Sequence, residues 1–280
     1  MFTDPSFFPT FFLTLREGLE AALIVGIIAA YLVKIDRPDV LGRVWLGVGA
    51  AIALSIGLGV AIVATIRELP LVLQETFEGL AALVAVGVLT WMLFWMRRQG
   101  RALKGELERG IDVALSRGSS LALITLGFVA VLREGIETSL FMIAILSAAD
   151  LGPSTAIAGV GGIAVAVAIG VAIFAFGVRV NLGRFFTVTG TVLIFVAAGL
   201  VAFAIGEFAE AGLFANSGQA FDLSAVLPES EGLGAILNGL FGYRSSPTPL
   251  ELAGYLLYLV PTLFLFVFEG LPLRRQPAAA

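Results

Sequence analysis

Leu15-Arg16-Glu17-Gly18-Leu19-Glu20 sets three ionisable side chains in the middle of an apolar run over residues 7–33. Apart from them that run reads as one membrane-spanning helix, long enough to cross about 30 Å of hydrocarbon with some tilt. Each charge at the centre of such a helix costs roughly 2.5–3.5 kcal/mol on insertion scales. Charges placed there face a bundle interior or an aqueous path, and they point to function. At about 100° per residue, Arg16, Glu20 and Glu17 fall near 0°, 40° and 100°, on one face of the helix. Gly18 lies on the far side, where a neighbouring backbone can come close. The arrangement returns at Leu132-Arg133-Glu134-Gly135-Ile136-Glu137, in the middle of the run 118–149. One copy also admits the reading of a buried ion pair that fixes helix register. Two copies of so costly an arrangement argue for a shared task.

Hydrophobic residues make up 59% of the 280 and charged residues 14%, against about 45–50% and 25% in soluble domains. With a mean hydropathy of +1.00, the chain reads as an integral membrane protein. It has no cysteine and no histidine. That excludes a disulfide framework, thiolate metal sites, histidine-ligated zinc, copper or haem, and histidine proton relays. Any metal is expected on oxygen ligands, with no methionine near, which suits hard cations. Residues 1–10 carry no basic residue, so the first run reads as a retained helix and not as a cleaved signal peptide.

Seven apolar runs are visible, over residues 7–33, 44–66, 77–96, 118–149, 154–178, 185–206 and 252–268, the last interrupted by Pro261. The sequence therefore predicts an all-α polytopic membrane protein of seven transmembrane helices. Thirteen basic residues fall on one side of these runs: Lys34, Arg37, Arg43, Arg97, Arg98, Arg101, Lys104, Arg109, Arg117, Arg179, Arg184, Arg274 and Arg275. Only Arg67 and Arg244 fall on the other. The positive-inside rule then puts the N-terminus outside and the C-terminus in the cytoplasm. The first and fourth runs cross in opposite directions, and each opens a three-helix unit. This is the pattern of an inverted repeat, with the seventh helix added outside it. The expected organisation is one transmembrane domain, 1–280. It divides into a first repeat (1–96), a cytoplasmic basic loop (97–118), a second repeat (119–212), an external loop (213–250), and the seventh helix with its tail (251–280). The basic loop reads as partly amphipathic, lying on anionic lipid.

Two more acidic pairs, Glu75 with Glu78 and Glu207 with Glu210, are each spaced i, i+3 on one helix face at the outer surface. The first pair is favourable at a helix N-terminus in any case; the second stands at a C-terminus, where negative charge is unfavourable. Asp222, Glu229 and Glu231 read as solvated loop acids. At the midplane, Glu17, Glu20, Glu134 and Glu137 against Arg16 and Arg133 leave a net charge of about −2, untenable without proton uptake or a bound cation. The arginines can orient the carboxylates through paired hydrogen bonds.

At these residues the chain resembles the oxidase-dependent iron transporters, the family of the fungal high-affinity iron permease and the bacterial iron permeases. R-E-x-x-E in the first and fourth helices of that family is matched by Arg16, Glu17, Glu20 and by Arg133, Glu134, Glu137. The resemblance extends to Thr90-Trp91-Met92-Leu93-Phe94-Trp95-Met96 and to Glu207-Phe208-Ala209-Glu210-Ala211-Gly212. It departs at Gly206, where bacterial relatives often carry a histidine. The resemblance implies a permease, not an enzyme, that moves iron, ferric ion in the usual case, with no organic cofactor. It implies a bacterial inner membrane location and a partner oxidase or extracytoplasmic iron-binding protein, and no nucleic acid. The same carboxylates suit another divalent or heavy cation, such as manganese or lead. A di-iron membrane oxidase uses Glu-x-x-His pairs, which a chain without histidine cannot supply. A purely structural membrane subunit is the remaining class.

Overall fold

The structure, a computed structural model, describes residues 4–66, 70–99, 103–116, 120–147, 152–178, 181–213, 218–229 and 231–268. Among them are nine α-helices: α1 Phe7–Lys34, α2 Leu41–Ile66, α3 Leu71–Gln99, α4 Leu103–Ser116, α5 Ser120–Ser147, α6 Pro153–Phe176, α7 Leu182–Glu210, α8 Gly232–Phe241 and α9 Pro249–Phe268. A 3-10 turn, Pro38–Val40, leads into α2. Arg67, Arg101, Arg117, Arg179, Arg274 and Arg275, which contribute to the expected orientation, lie outside the described residues. So do the ends of the fourth run, at 118–119 and 148–149, and the tail from 269.

Local sequence explains several helix ends. Pro153 opens α6 in its first turn, where its missing N–H is no loss. Gly177, with φ +65°, closes it by taking the left-handed turn that a side chain disfavours. Asn181 caps α7 by accepting the Arg184 N–H at 3.0 Å.

Among the described residues, five helices are long and apolar enough to cross a membrane: Pro38–Ile62, Leu71–Met96, Pro153–Phe176, Leu182–Glu210 and Pro249–Val267. Helices α1 and α5 have 28 residues each. They miss that composition because each carries its three motif charges in mid-helix.

Glycines set the helix pairing. α1 lies on α6 with Gly162 against Thr14 and the Phe11 and Leu15 backbone, Gly18 against Ala166 and Gly170 against Ala22. Residue numbers rise together in the two helices, so they run parallel. α2 lies on α5 in the same way, with Gly47 against the Ile124 and Phe128 backbone and Gly135 against Ser55. α3 and α7 run antiparallel, Gly79 meeting Phe208 and Gly190 meeting Leu93. Leu13, Leu89, Phe141, Leu193, Ile194 and Phe266 form the buried centre where α1, α3, α5, α7 and α9 meet.

A side chain at residue 162 has nowhere to go. A Cβ there would stand 2.6 Å from the Phe11 carbonyl oxygen and 2.8 Å from the Leu15 nitrogen. Overpacking costs about 1–3 kcal/mol even where neighbours can yield, and backbone yields least. Gly162→Leu is expected to abolish the monodisperse size-exclusion peak of extracted protein. An unchanged peak and melting temperature would contradict this packing.

The helices themselves differ from the sequence reading in three places. The segment 213–250, expected as a loop, contains α8, whose glycines mask an apolar helix of ten residues. Phe241 meets Phe195 edge-on at 5.0 Å, and Gly242 abuts Gly199. Gly199 lies eleven residues before Glu210, so α8 descends about 16 Å below the end of α7 at 1.5 Å per residue. Second, α4 turns Leu107, Ile111 and Ala114 onto protein instead of lipid, packing with Ile28 and Leu32 of α1 and Leu123 of α5. Third, α3 begins at Leu71, a turn before Glu75, which removes the helix-dipole account of Glu75 and Glu78.

Candidate functional site

The two motifs meet inside the bundle. On α1, Arg16 is buried beneath its own carboxylates, with Nη1 3.4 Å from Glu17 Oε1 and Nε 3.3 Å from Glu20 Oε1. On α5, Arg133 Nε stands 3.1 Å from Glu137 Oε1 and 3.9 Å from Glu134 Oε1. Both ion pairs to the last motif glutamate are i, i+4 neighbours on one helix face, as the spacing predicts. Glu17, Glu134 and Glu137 each bring an oxygen within 4.8 Å of the others, across the α1–α5 interface. Glu20 stands outside that trio, drawn onto Arg16 Nε.

Each carboxylate of the trio keeps an unused oxygen. Glu17 Oε2, Glu134 Oε2 and Glu137 Oε2 are buried without a hydrogen-bond partner among the described residues, whereas Glu20 Oε1 is taken up by its ion pair with Arg16 Nε. Buried polar atoms are nearly always partnered, and three orphaned carboxylate oxygens in one place are a donor set suited to a hard cation.

The two arginines are not equivalent. The Arg16 side chain is 1% exposed and that of Arg133 is 39% exposed. Arg16 Nη2 donates to Met96 Sδ at 3.0 Å. The expectation of no methionine near the site is therefore corrected: the last turn of α3, too far along the chain to be placed by spacing, brings Met96 to Arg16. Next to it, the Trp95 ring lies 4.4 Å from the Arg133 guanidinium carbon.

The other two acidic pairs also come together. The charges of Glu78, Glu210 and Glu75 all act on Glu207, and α3 and α7 are in contact there through Gly79 and Phe208. Gln74 Nε2 donates to Glu78 at 2.9 Å. From Glu78 to Trp95 along α3 is seventeen residues, about 26 Å of helix, so this cluster and the motif site are separate places.

Sequence reasoning missed Glu251. It is 7% exposed, pairs with Arg244 at 2.8 Å and accepts the Thr248 N–H at 2.8 Å. Thr248 Oγ1 accepts the Glu251 N–H in return. The signal was present as Thr248-x-x-Glu251, a capping box before an apolar run. The pair fills the space beside Gly206, with Glu251 Oε1 2.6 Å and Arg244 Nη1 3.2 Å from where a Cβ would stand. Glu229 is likewise engaged, accepting the Ser245 N–H at 3.0 Å.

A profile of the Iron permease FTR1 family matches residues 7–272. The chain is 45% identical over 263 residues to the ferrous iron permease EfeU of Escherichia coli O6:H1, covering 93% of this chain and 95% of that one. It is 45% identical over 276 residues to EfeU of Shigella sonnei, covering 98% and 99%. With EfeU of Yersinia pestis it shares 44% over 262 residues, covering 92% and 93%. No solved structure matches the chain.

Proposed function

The chain belongs to the Iron permease FTR1 family, and from that premise we propose that it moves iron into the cytoplasm through Glu17, Glu20, Glu134 and Glu137. The observation that carries the reading is the convergence of three buried carboxylates from two helices, with an unused oxygen on each. Its relatives are named as permeases, which places the chain among transporters. In place of the ferric ion that the resemblance implies, ferrous ion is the proposed substrate. The relatives carry that name, and a 2+ charge balances the net charge of about −2 left by four carboxylates and two guanidiniums.

The proposed frame is a seven-span inverted repeat in the bacterial inner membrane, N-terminus outside, with α1–α3 and α5–α7 as the halves. Supporting it, α1 on α6 and α5 on α2 are equivalent pairings under that exchange, both parallel and both glycine-mediated. An oxidase or extracytoplasmic iron-binding protein is the proposed partner at the outer face.

The test is uptake of radioactive iron by purified protein in liposomes, ferrous iron held with ascorbate against ferric citrate, with and without a pH gradient. Saturable ferrous uptake that manganese and lead compete for weakly is expected. Faster manganese or lead flux would move the substrate to another cation, and no flux would leave a structural subunit.

Glu75, Glu78, Glu207 and Glu210 are proposed to gather cations before they reach the motifs. Surface charge acts on encounter, so Glu207→Gln with Glu210→Gln is expected to raise the half-saturation concentration several-fold at low salt with little change in maximal flux. The difference should shrink as salt rises. Unchanged uptake at limiting iron and low salt would return these acids to plain solvation.

A further inference from the structure

Two adjacent residues at the inner end of α3 each hold one of the two motif arginines, which come from different helices. Trp95 faces the Arg133 guanidinium at 4.4 Å, and Met96 Sδ accepts Arg16 Nη2 at 3.0 Å. A guanidinium is a fork of five N–H donors that fits a carboxylate with two parallel bonds. Arg133 does not use its fork in that way. Only its Nε engages Glu137 Oε1, at 3.1 Å, while Glu134 Oε2 and Glu137 Oε2 stay unpartnered nearby. With its side chain 39% exposed, Arg133 has room to swing, so packing alone does not hold it off those oxygens. The aromatic face does, because a cation over indole is attracted by the ring even where the site is only partly desolvated. Met96 plays the corresponding part for Arg16 by taking up its Nη2.

We propose that Trp95 and Met96 are positioning residues for the transport site, keeping the two arginine forks off the carboxylate oxygens that the cation must use. This rests on the carboxylate reading above. Without the Trp95 ring, the Arg133 fork closes on Glu134 and Glu137 and competes with iron as a tethered cation. With it, Arg133 still offsets charge but leaves ligands free.

The test is equilibrium binding of radioactive ferrous iron to the purified full-length protein in detergent, with thermal midpoints alongside. W95A is expected to weaken binding about tenfold, which is about 1.4 kcal/mol. W95F, which keeps an aromatic face, is expected to stay within about threefold of wild type. In an R133Q background, W95A should change the dissociation constant less than about twofold, since the two residues act as one unit. M96L keeps the volume but removes the acceptor, and should weaken binding about threefold. Equal losses from W95A with and without Arg133, or W95F as poor as W95A, would make Trp95 ordinary packing and overturn the proposal. Wild-type binding that survives Glu137→Gln unchanged would overturn the carboxylate reading instead.

Discussion

Glu137→Gln is expected to bring iron uptake to background, with Glu134→Gln and Glu17→Gln doing the same. Glutamine keeps the volume, so the fold is spared, but it removes one charge and one oxygen ligand from a site with few of either. Losing an outer-shell partner of a metal ligand already costs about 10–100-fold in affinity; losing the ligand itself should exceed 100-fold. All three residues belong to the trio within 4.8 Å. Glu20 is a graded case. It pairs with Arg16 Nε and stands outside the trio, so Glu20→Gln is expected to lose about tenfold by shifting Arg16 and the local charge. Uptake should be read in liposomes at saturating and limiting iron. Half-normal flux in all three trio variants would contradict a common site.

Arg16→Met should cost far more stability than Arg133→Met. Arg16 is fully buried and partners Glu17 and Glu20, themselves buried. Removing one member of such a group leaves uncompensated charge in low dielectric and costs about 3–5 kcal/mol. Replacing the whole group is often neutral, so Arg16→Met with Glu17→Gln and Glu20→Gln should recover most of that stability while staying inactive. Arg133→Met should be milder, because its partly exposed side chain already has solvent-like screening. Midpoints of thermal unfolding in detergent compare the three. Equal losses from Arg16→Met and Arg133→Met would show that burial does not distinguish the arginines.

The motif site was legible because charge in the middle of an apolar run is rare and costly, and because it occurs twice. Helical spacing alone placed Arg16 beside Glu20 and Arg133 beside Glu137. It could not rank the four carboxylates, since which oxygens converge depends on how α1 and α5 cross. Trp95 and Met96 were visible as residues but not as contacts, because α3 is brought to the motifs by its packing on α5 and α7, which spacing along the chain does not reveal. α8 was lost for a different reason: three glycines in ten residues lower helix propensity, and tertiary contacts with Phe195 and Gly199 override it. Glu251 was legible from its capping box and was passed over as the start of an ordinary span.

The central claim is that one iron is shared between the two motifs. It is tested most directly by metal stoichiometry on purified protein, wild type beside Glu17→Gln and Glu137→Gln. One tightly bound ion per wild-type chain, absent from both variants, is the expected result. Two ions per chain, with one surviving in each variant, would mean that each helix holds its own.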